Sequence, residues 1–254
     1  MRKIIITTSE NLYLPVFFKR LFEERSDFEK IFVTNIKKKK EKNSLSVLLR
    51  YLKTFGWKNT VILIWKYIKI EILDTFRNVK IASIFKSKKI NYEIIENVND
   101  VDFVDQIKSL NIDLIISVSC PQIFGLRLIS VPKIGCINIH GSELPKYRGL
   151  LPSFWTLLNQ ENDGCVTLFF IKDEKLDLGD AVCVKKFKIP ANISLHEFLI
   201  YSKKIHATSL LNTLESIESG SFSRTPIIDS KGSYCAFPTR DDYLDFVGKG
   251  LRVW

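Results

Sequence analysis

Lys3-Ile4-Ile5-Ile6-Thr7-Thr8 is an unbroken run of mostly β-branched residues at the start of the chain, and its reading decides the fold. A strand with one wet face alternates polar and apolar residues. A continuous run instead suits a strand buried on both faces of a parallel sheet. Ser9 and Asn11 are candidate caps for a following helix, whose Leu14, Phe17, Phe18, Leu21 and Phe22 recur at helical spacing and read as core. A second strand is predicted over residues 31–35. Strand, helix, strand is the opening of a doubly wound α/β fold with a mostly parallel sheet, Rossmann-like in kind.

Working outward, the same rhythm returns after residue 90. Strands are predicted at 92–95, 113–119 (DLIISVS) and 134–140 (IGCINIH), with a helix at 101–110. A helix over 152–158 has Pro152 in its first turn, where proline is tolerated. Strands at 165–171 and 181–189 can pair. A long helix over 194–216 carries Ser194 as cap and Glu197 as its capping-box partner. The tail is turn-rich, with a short helix at 241–247.

Residues 44–87 interrupt this rhythm. Leu45, Leu48, Leu49 and Leu52, then Val61, Trp65, Ile68 and Ile72, recur at helical spacing on either side of Gly56. An inserted helical hairpin is expected, packed on the sheet, used for a partner, or laid on a membrane surface. The preceding Lys37–Lys40 run, with Lys42, reads as a solvated loop. The expected division is residues 1–190 as the main domain, with the insert inside it, and 191–254 as a small C-terminal extension.

The composition bounds the function classes. The chain has 254 residues, 46% hydrophobic, with 11 Gly and 8 Pro. That excludes a disordered, collagenous or low-complexity chain. A charge of +10, from 38 Lys and Arg against 28 Asp and Glu, favours phosphorylated metabolites, nucleic acid or an acidic membrane surface without choosing among them. The most apolar stretch, residues 60–73, is broken by Lys66, Lys69 and Glu71, so no transmembrane segment is expected. The N-terminus lacks the long apolar run of a secretory signal. Five cysteines without a C-x-x-C pair point to free thiols in a reducing, cytoplasmic setting. Cys136, Cys165 and Cys183 read as buried. No Cys/His cluster has ligand spacing, so no metal is expected.

Residues 138–180 carry the chemistry. Asn138 and His140 end a buried strand and share one of its faces, at the edge where open α/β sheets bind ligands. Asn-x-His alone is a weak signal, and Asp177-Leu178-Gly179-Asp180 alone could be an ordinary turn. Together, the blocks Asn138, His140, Ser142, Leu144, Pro145, Tyr147, Arg148 and Gly149, then Gly164, Val166 and Thr167, then Leu176, Asp177, Gly179 and Asp180 resemble the pattern of the folate-dependent formyltransferases. The resemblance covers residues 90–190 well. Cys165 interrupts the G-V-T block, and Glu143 stands where leucine is commoner. The insert is not part of the shared core.

The resemblance implies transfer of a formyl group from 10-formyltetrahydrofolate to an amine, with Asn138, His140 and Asp177 as the catalytic set. The chemistry suits those residue types. The oxyanion formed on the formyl oxygen needs a preorganised donor, which the Asn138 amide supplies. The attacking amine must lose a proton, which an imidazole accepts near neutral pH. Asp177 would hold His140 in orientation and charge state. Neither a metal nor a covalent enzyme intermediate is required, because amine and folate meet directly. The resemblance further implies a folate wall at Gln122, Ile123, Asp173 and Asp177. Lys146 is a candidate point charge for a substrate phosphate, with Tyr147 and Arg148 shaping the loop.

The tail segment Tyr234-x-x-x-Pro238-Thr239-x-x-Asp242 resembles that of small stand-alone formyltransferases, including those that act on sugars. The 64 residues after 190 are short for the C-terminal barrel of methionyl-tRNA formyltransferase. The expected substrate is therefore an amino sugar, nucleotide-linked, for a surface glycan such as an O-antigen, with no nucleic-acid partner and a homodimer as the expected state. Two alternatives stand beside it. One is a methionyl-tRNA formyltransferase-like enzyme acting on another amine. The other is a basic RNA-binding module with an inert triad.

Overall fold

With all six residues of Lys3–Thr8 buried, the first strand has no face for water and must be covered from both sides. The structure, a computed structural model, describes residues 1–34 and 44–254. Asn35, expected to end the second strand, and the Lys37–Lys42 run lie outside the described residues. In chain order the first half forms β1 (Lys3–Thr8), α1 (Leu14–Glu24), β2 (Lys30–Thr34), α2 (Ser44–Asp74), α3 (Ile81–Ser87), β3 (Tyr92–Ile95), α4 (Val101–Ser109) and β4 (Leu114–Val118). There follow α5 (Leu126–Ile129), β5 (Gly135–His140), β6 (Arg148–Gly149), α6 (Pro152–Leu158), β7 (Asp163–Ile171) and β8 (Gly179–Lys188). The chain closes through α7 (Leu195–Glu218), β9 (Thr225–Pro226), β10 (Tyr234–Cys235) and α8 (Arg240–Gly248).

The main sheet runs β3-β2-β1-β4-β5-β7-β8-β9. Its first five strands are parallel, and β7, β8 and β9 join antiparallel. The chain winds outward from β1 through β2 to β3, then returns to add β4 and β5 on the other side. That reversal opens a crevice beyond the carboxyl ends of β1 and β4, where α/β sheets bind ligands. One core lies under α1, α3 and α7 and includes Phe17, Phe18, Phe22 and Phe85. A second lies under α4 and includes Phe32, Phe103 and Ile107. The mostly parallel α/β fold read from the sequence is thus the fold observed.

Three local expectations need correction. Ser9 and Asn11 do not cap α1. The Glu10 carboxylate accepts from the amides of Leu12, Tyr13 and Leu14, at 2.9 Å from Tyr13 and 2.8 Å from Leu14. A carboxylate satisfies several amides at the positive end of a helix, which a lone hydroxyl cannot. The Asn11 side chain instead accepts from the Ile81 amide at the start of α3 (3.1 Å). Secondly, the insert packs on the sheet only through α3, not as a whole hairpin. α2 is kinked at Gly56 (φ 79°, ψ 171°). Its first arm is held through Phe55 by Phe154, Phe237 and Tyr243, that is, by α6, the tail and α8. The residues of the segment that reach the sheet core are Ile81, Ile84 and Phe85 of α3. Thirdly, Cys136 and Cys165 are buried, but Cys183 is only half-buried, because β8 lies next to the short edge strand β9.

Candidate active site

β5 delivers Asn138 and His140 to the crevice. In register, Asn138 sits between Ser117 of β4 and Phe169 of β7, and His140 opposite Thr167. Asn138 is half-buried, and its side chain has no hydrogen-bond partner among the described residues. His140 is buried. Its Nε2 lies 2.9 Å from the Tyr147 carbonyl oxygen. A carbonyl only accepts, so Nε2 carries the hydrogen. That leaves Nδ1 facing the Asp177 carboxylate, 3.5 Å from Oδ1. The other Asp177 oxygen accepts from the Gly149 amide at 2.7 Å. Residues separated by 37 positions in sequence thus meet in one buried spot.

Two glycines make that meeting possible. Asp177 takes a left-handed turn (φ 53°) before β8, and Gly179 follows at φ 154°. A Cβ on Gly179 would lie 2.0 Å from the Phe170 carbonyl oxygen. At Gly149 (φ 100°) a Cβ would lie 2.4 Å from the Cys235 carbonyl oxygen. Each glycine allows backbones to approach more closely than any side chain permits. The loop between β5 and β6 is held internally as well. Thr167 Oγ1 donates to the Ser142 carbonyl (2.7 Å), and Ser142 Oγ donates to the Lys146 carbonyl (2.7 Å). β6 then pairs in parallel with β10 of the tail, Tyr234 with Arg148 and Cys235 with Gly149.

The remaining expected residues take varied places. Lys146 faces Glu161 (3.6 Å), and the Tyr147 hydroxyl donates to the same carboxylate at 2.7 Å. Burial, and then that carboxylate, push the Tyr147 phenol above its ordinary range. Arg148 pairs with Asp229 of the tail at 2.6 Å. The Gln122 side chain is engaged in backbone support: it accepts from Val98 N (3.0 Å) and donates to the Glu96 carbonyl (2.6 Å). Ile123 is exposed, and Asp173 accepts from Lys175 N within the turn that leads to Asp177. Of the expected folate wall, this leaves backbone groups and the Ile123 side chain facing outward.

Sequence reading missed a buried polar group behind β5. His206 of α7 is buried, its Nε2 has no partner, and its ring lies against Gly141, where an added Cβ would meet Cε1 at 3.3 Å. Burial, then Lys203 and His140, hold its pKa well below the ordinary imidazole value, so the ring stays neutral. One turn earlier on α7, Lys203 donates to Ser119 Oγ (3.1 Å) at the end of β4. Burial lowers the Lys203 pKa, against the pull of Glu10. The one available signal was a histidine on the apolar side of a long helix. Among the described residues, no group of three or more His, Cys, Asp or Glu side chains gathers as a metal site.

The family described as formyl transferase matches residues 23–208. A methionyl-tRNA formyltransferase from Clostridioides difficile is 41% identical over 165 residues, covering 61% of this chain and 53% of the relative. The chain spans about half the length of the curated relatives it matches. A sugar N-formyltransferase from Shewanella shares the fold with a TM-score of 0.59 at 17% identity, over 96% of this chain and 86% of that one. A Helicobacter canadensis N-formyltransferase, solved with folinic acid and dTDP-3-aminofucose, superposes with a TM-score of 0.55 at 17% identity, over 95% and 72% of the two chains.

Proposed function

Since the chain belongs to the formyl transferase family, we propose that it moves the formyl group of 10-formyltetrahydrofolate onto the amine of a nucleotide-linked amino sugar. The observation that carries the chemistry is the buried His140–Asp177 contact two residues beyond Asn138. A neutral amine attacks the formyl carbon, forming the new N–C bond. The Asn138 amide donates to the oxyanion that develops. Nδ1 of His140 takes the proton from the amine nitrogen, because Nε2–H is committed to the Tyr147 carbonyl. The resulting imidazolium is stabilised by Asp177, whose second oxygen is held by Gly149. The bond from carbon to folate N10 then breaks, and the proton passes to N10, releasing tetrahydrofolate.

The sugar assignment is supported by the extent of the fold likeness, 95–96% of this chain against enzymes named for sugar amines. The tail braces the loop beside His140. β10 pairs with β6, and Asp229 holds Arg148. A second reading, formylation of methionyl-tRNA or another amine, is favoured by the 41% identity to an enzyme of that name. The test is to supply 10-formyltetrahydrofolate with a panel of 3- and 4-amino deoxysugar nucleotides, and separately with charged initiator tRNA, and to follow tetrahydrofolate release. Turnover with an amino sugar and none with tRNA is expected. The reverse pattern selects the second reading.

A further inference from the structure

The two arms of α2 differ on either side of Gly56. The first is locked into the small core of Phe55, Phe154 and Phe246. The second is held only along its inner side. Asn59 donates to the Phe55 carbonyl (2.8 Å) and to the Tyr243 hydroxyl (2.9 Å), and Lys66 meets His196 (3.0 Å). Asp74 accepts from Val79 N and Lys80 N at the start of α3. These contacts fix the helix rigidly and leave its outer side open.

That outer side is apolar. Trp57, Val61, Trp65, Ile68, Ile72 and Phe76 follow one another at spacings of three or four residues and are all exposed. Trp57 is 66% exposed, Trp65 60% and Phe76 84%. From Trp57 to Ile72 the stripe is about 22 Å long at the rise of an α-helix, and Phe76 follows in the turn after α2. A continuous exposed stripe of this kind marks a contact surface. The four tryptophans divide accordingly. The Trp155 and Trp254 indoles donate to backbone carbonyls, whereas neither the Trp57 nor the Trp65 indole has a protein acceptor among the described residues.

Charge selects the partner. Residues 44–80 contain seven Lys and Arg against two Asp and Glu. Both acids are engaged internally, Glu71 by Lys80 and Asp74 by the start of α3. Exposed Lys58 and Lys69 lie along one flank of the stripe, with Arg77 just beyond its end. No helix among the described residues is long and apolar enough to cross a membrane, so the stripe would lie flat. A basic amphipathic helix with tryptophans on its apolar side sits in the headgroup region of a bilayer. Its rings reach the acyl boundary, and its lysines meet anionic lipid. A second copy is a poorer occupant, because it would press the same lysine-flanked stripe of a +10 chain against itself.

We propose that the outer face of residues 57–76 docks this protein on an anionic lipid bilayer. The experiment uses the full chain and two sets of vesicles, pure phosphatidylcholine and phosphatidylcholine with phosphatidylglycerol. Flotation should give roughly tenfold stronger partition onto the anionic vesicles, weakened by salt, with a blue shift of tryptophan emission. Trp65→Glu with Ile68→Glu should abolish partition while leaving the circular dichroism and thermal midpoint unchanged, since both sites are exposed. Lys58→Glu with Lys69→Glu should remove the preference for anionic lipid. The proposal is overturned if wild type stays off the anionic vesicles or the Trp65→Glu/Ile68→Glu variant still binds them. It is equally overturned if sedimentation finds a wild-type dimer that this variant dissolves, which would assign the stripe to a second copy.

Discussion

At the end of β5 the chain hides polar side chains: His140, Asp177, Ser142 and Thr167 are all buried, and each has a partner. Along the second arm of α2 it does the opposite, exposing Trp57, Trp65 and Ile68. Burying polar groups and exposing large apolar ones both run against the free energy of folding. The first departure is offset inside the protein, by contacts that engage both nitrogens of His140 and both oxygens of Asp177 while the Asn138 amide has no partner among the described residues. The second finds no comparable burial among the described residues. The difference teaches where to look for a partner. At β5 the partner we propose is a reactant that meets the remaining donors and acceptors, and at α2 it is a surface that removes a stripe from water.

The strongest way to break this comparison is at the catalytic end. Asn138→Ala, His140→Ala and Asp177→Ala should each lower formyl transfer by about 10²–10⁴-fold with the fold retained. Near-normal rates in all three would defeat the assignment. Asp177→Asn should lose turnover nearly as fully, yet still accept from Gly149 N. Urea titration should therefore find it more stable than Asp177→Ala by about 1–3 kcal/mol, the cost of an orphaned amide.

A second contrast is found on α2 itself. Phe55, buried among four aromatic rings, and Trp57, two residues away past the kink, report the two arms. Phe55→Ala should cost about 3–4 kcal/mol in denaturant melts, because it opens a cavity between α2, α6 and α8. Trp57→Ala should stay within about 0.5 kcal/mol. Equal losses at the two positions would mean that the exposed arm is packed in solution.

Acid sharpens the comparison with a smaller effect. His206 behind the site is held neutral by burial, and His196 beneath α2 is pushed down to about 4 by burial and Lys66. For both, the folded pKa lies below the unfolded value of about 6.5, so the unfolded chain binds protons first as pH falls. Stability should be constant above about 6.5 and decline below it, by at most about 1.4 kcal/mol per pH unit per histidine. The His196 contribution levels off near 4. The slope of thermal midpoint against pH should flatten in both His206→Gln and His196→Gln.

The parallel half of the fold was legible because its strands are continuous apolar runs, and two-sided burial writes itself into sequence. The His140–Asp177 pairing was legible only because Asn138, His140 and Asp177 stand in blocks with a family resemblance. No periodicity connects residues 140 and 177, and the turn that joins them depends on backbone freedom at Gly179. The Glu10 cap escaped because a carboxylate reaching several amides leaves no spacing signature. His206 escaped because its neighbours His140 and Gly141, at the end of β5, are distant in sequence. The folate wall was hardest to read. Gln122 spends its side chain on Glu96 and Val98, so the side chain expected to face a ligand is already engaged.

The short ladder between β6 and β10 bears on synthesis. Tyr147 N donates to Ser233 Oγ across 86 positions, and Arg148 N donates to the Ser233 carbonyl. A ribosome extending the chain at about 5–20 residues per second makes the loop beside His140 on the order of ten seconds before the strand that braces it. Throughout that interval the loop that follows β5 is tethered on one side only, and Arg148 lacks its Asp229 partner. The candidate site thus gains this brace only after residues 229–235 have been made.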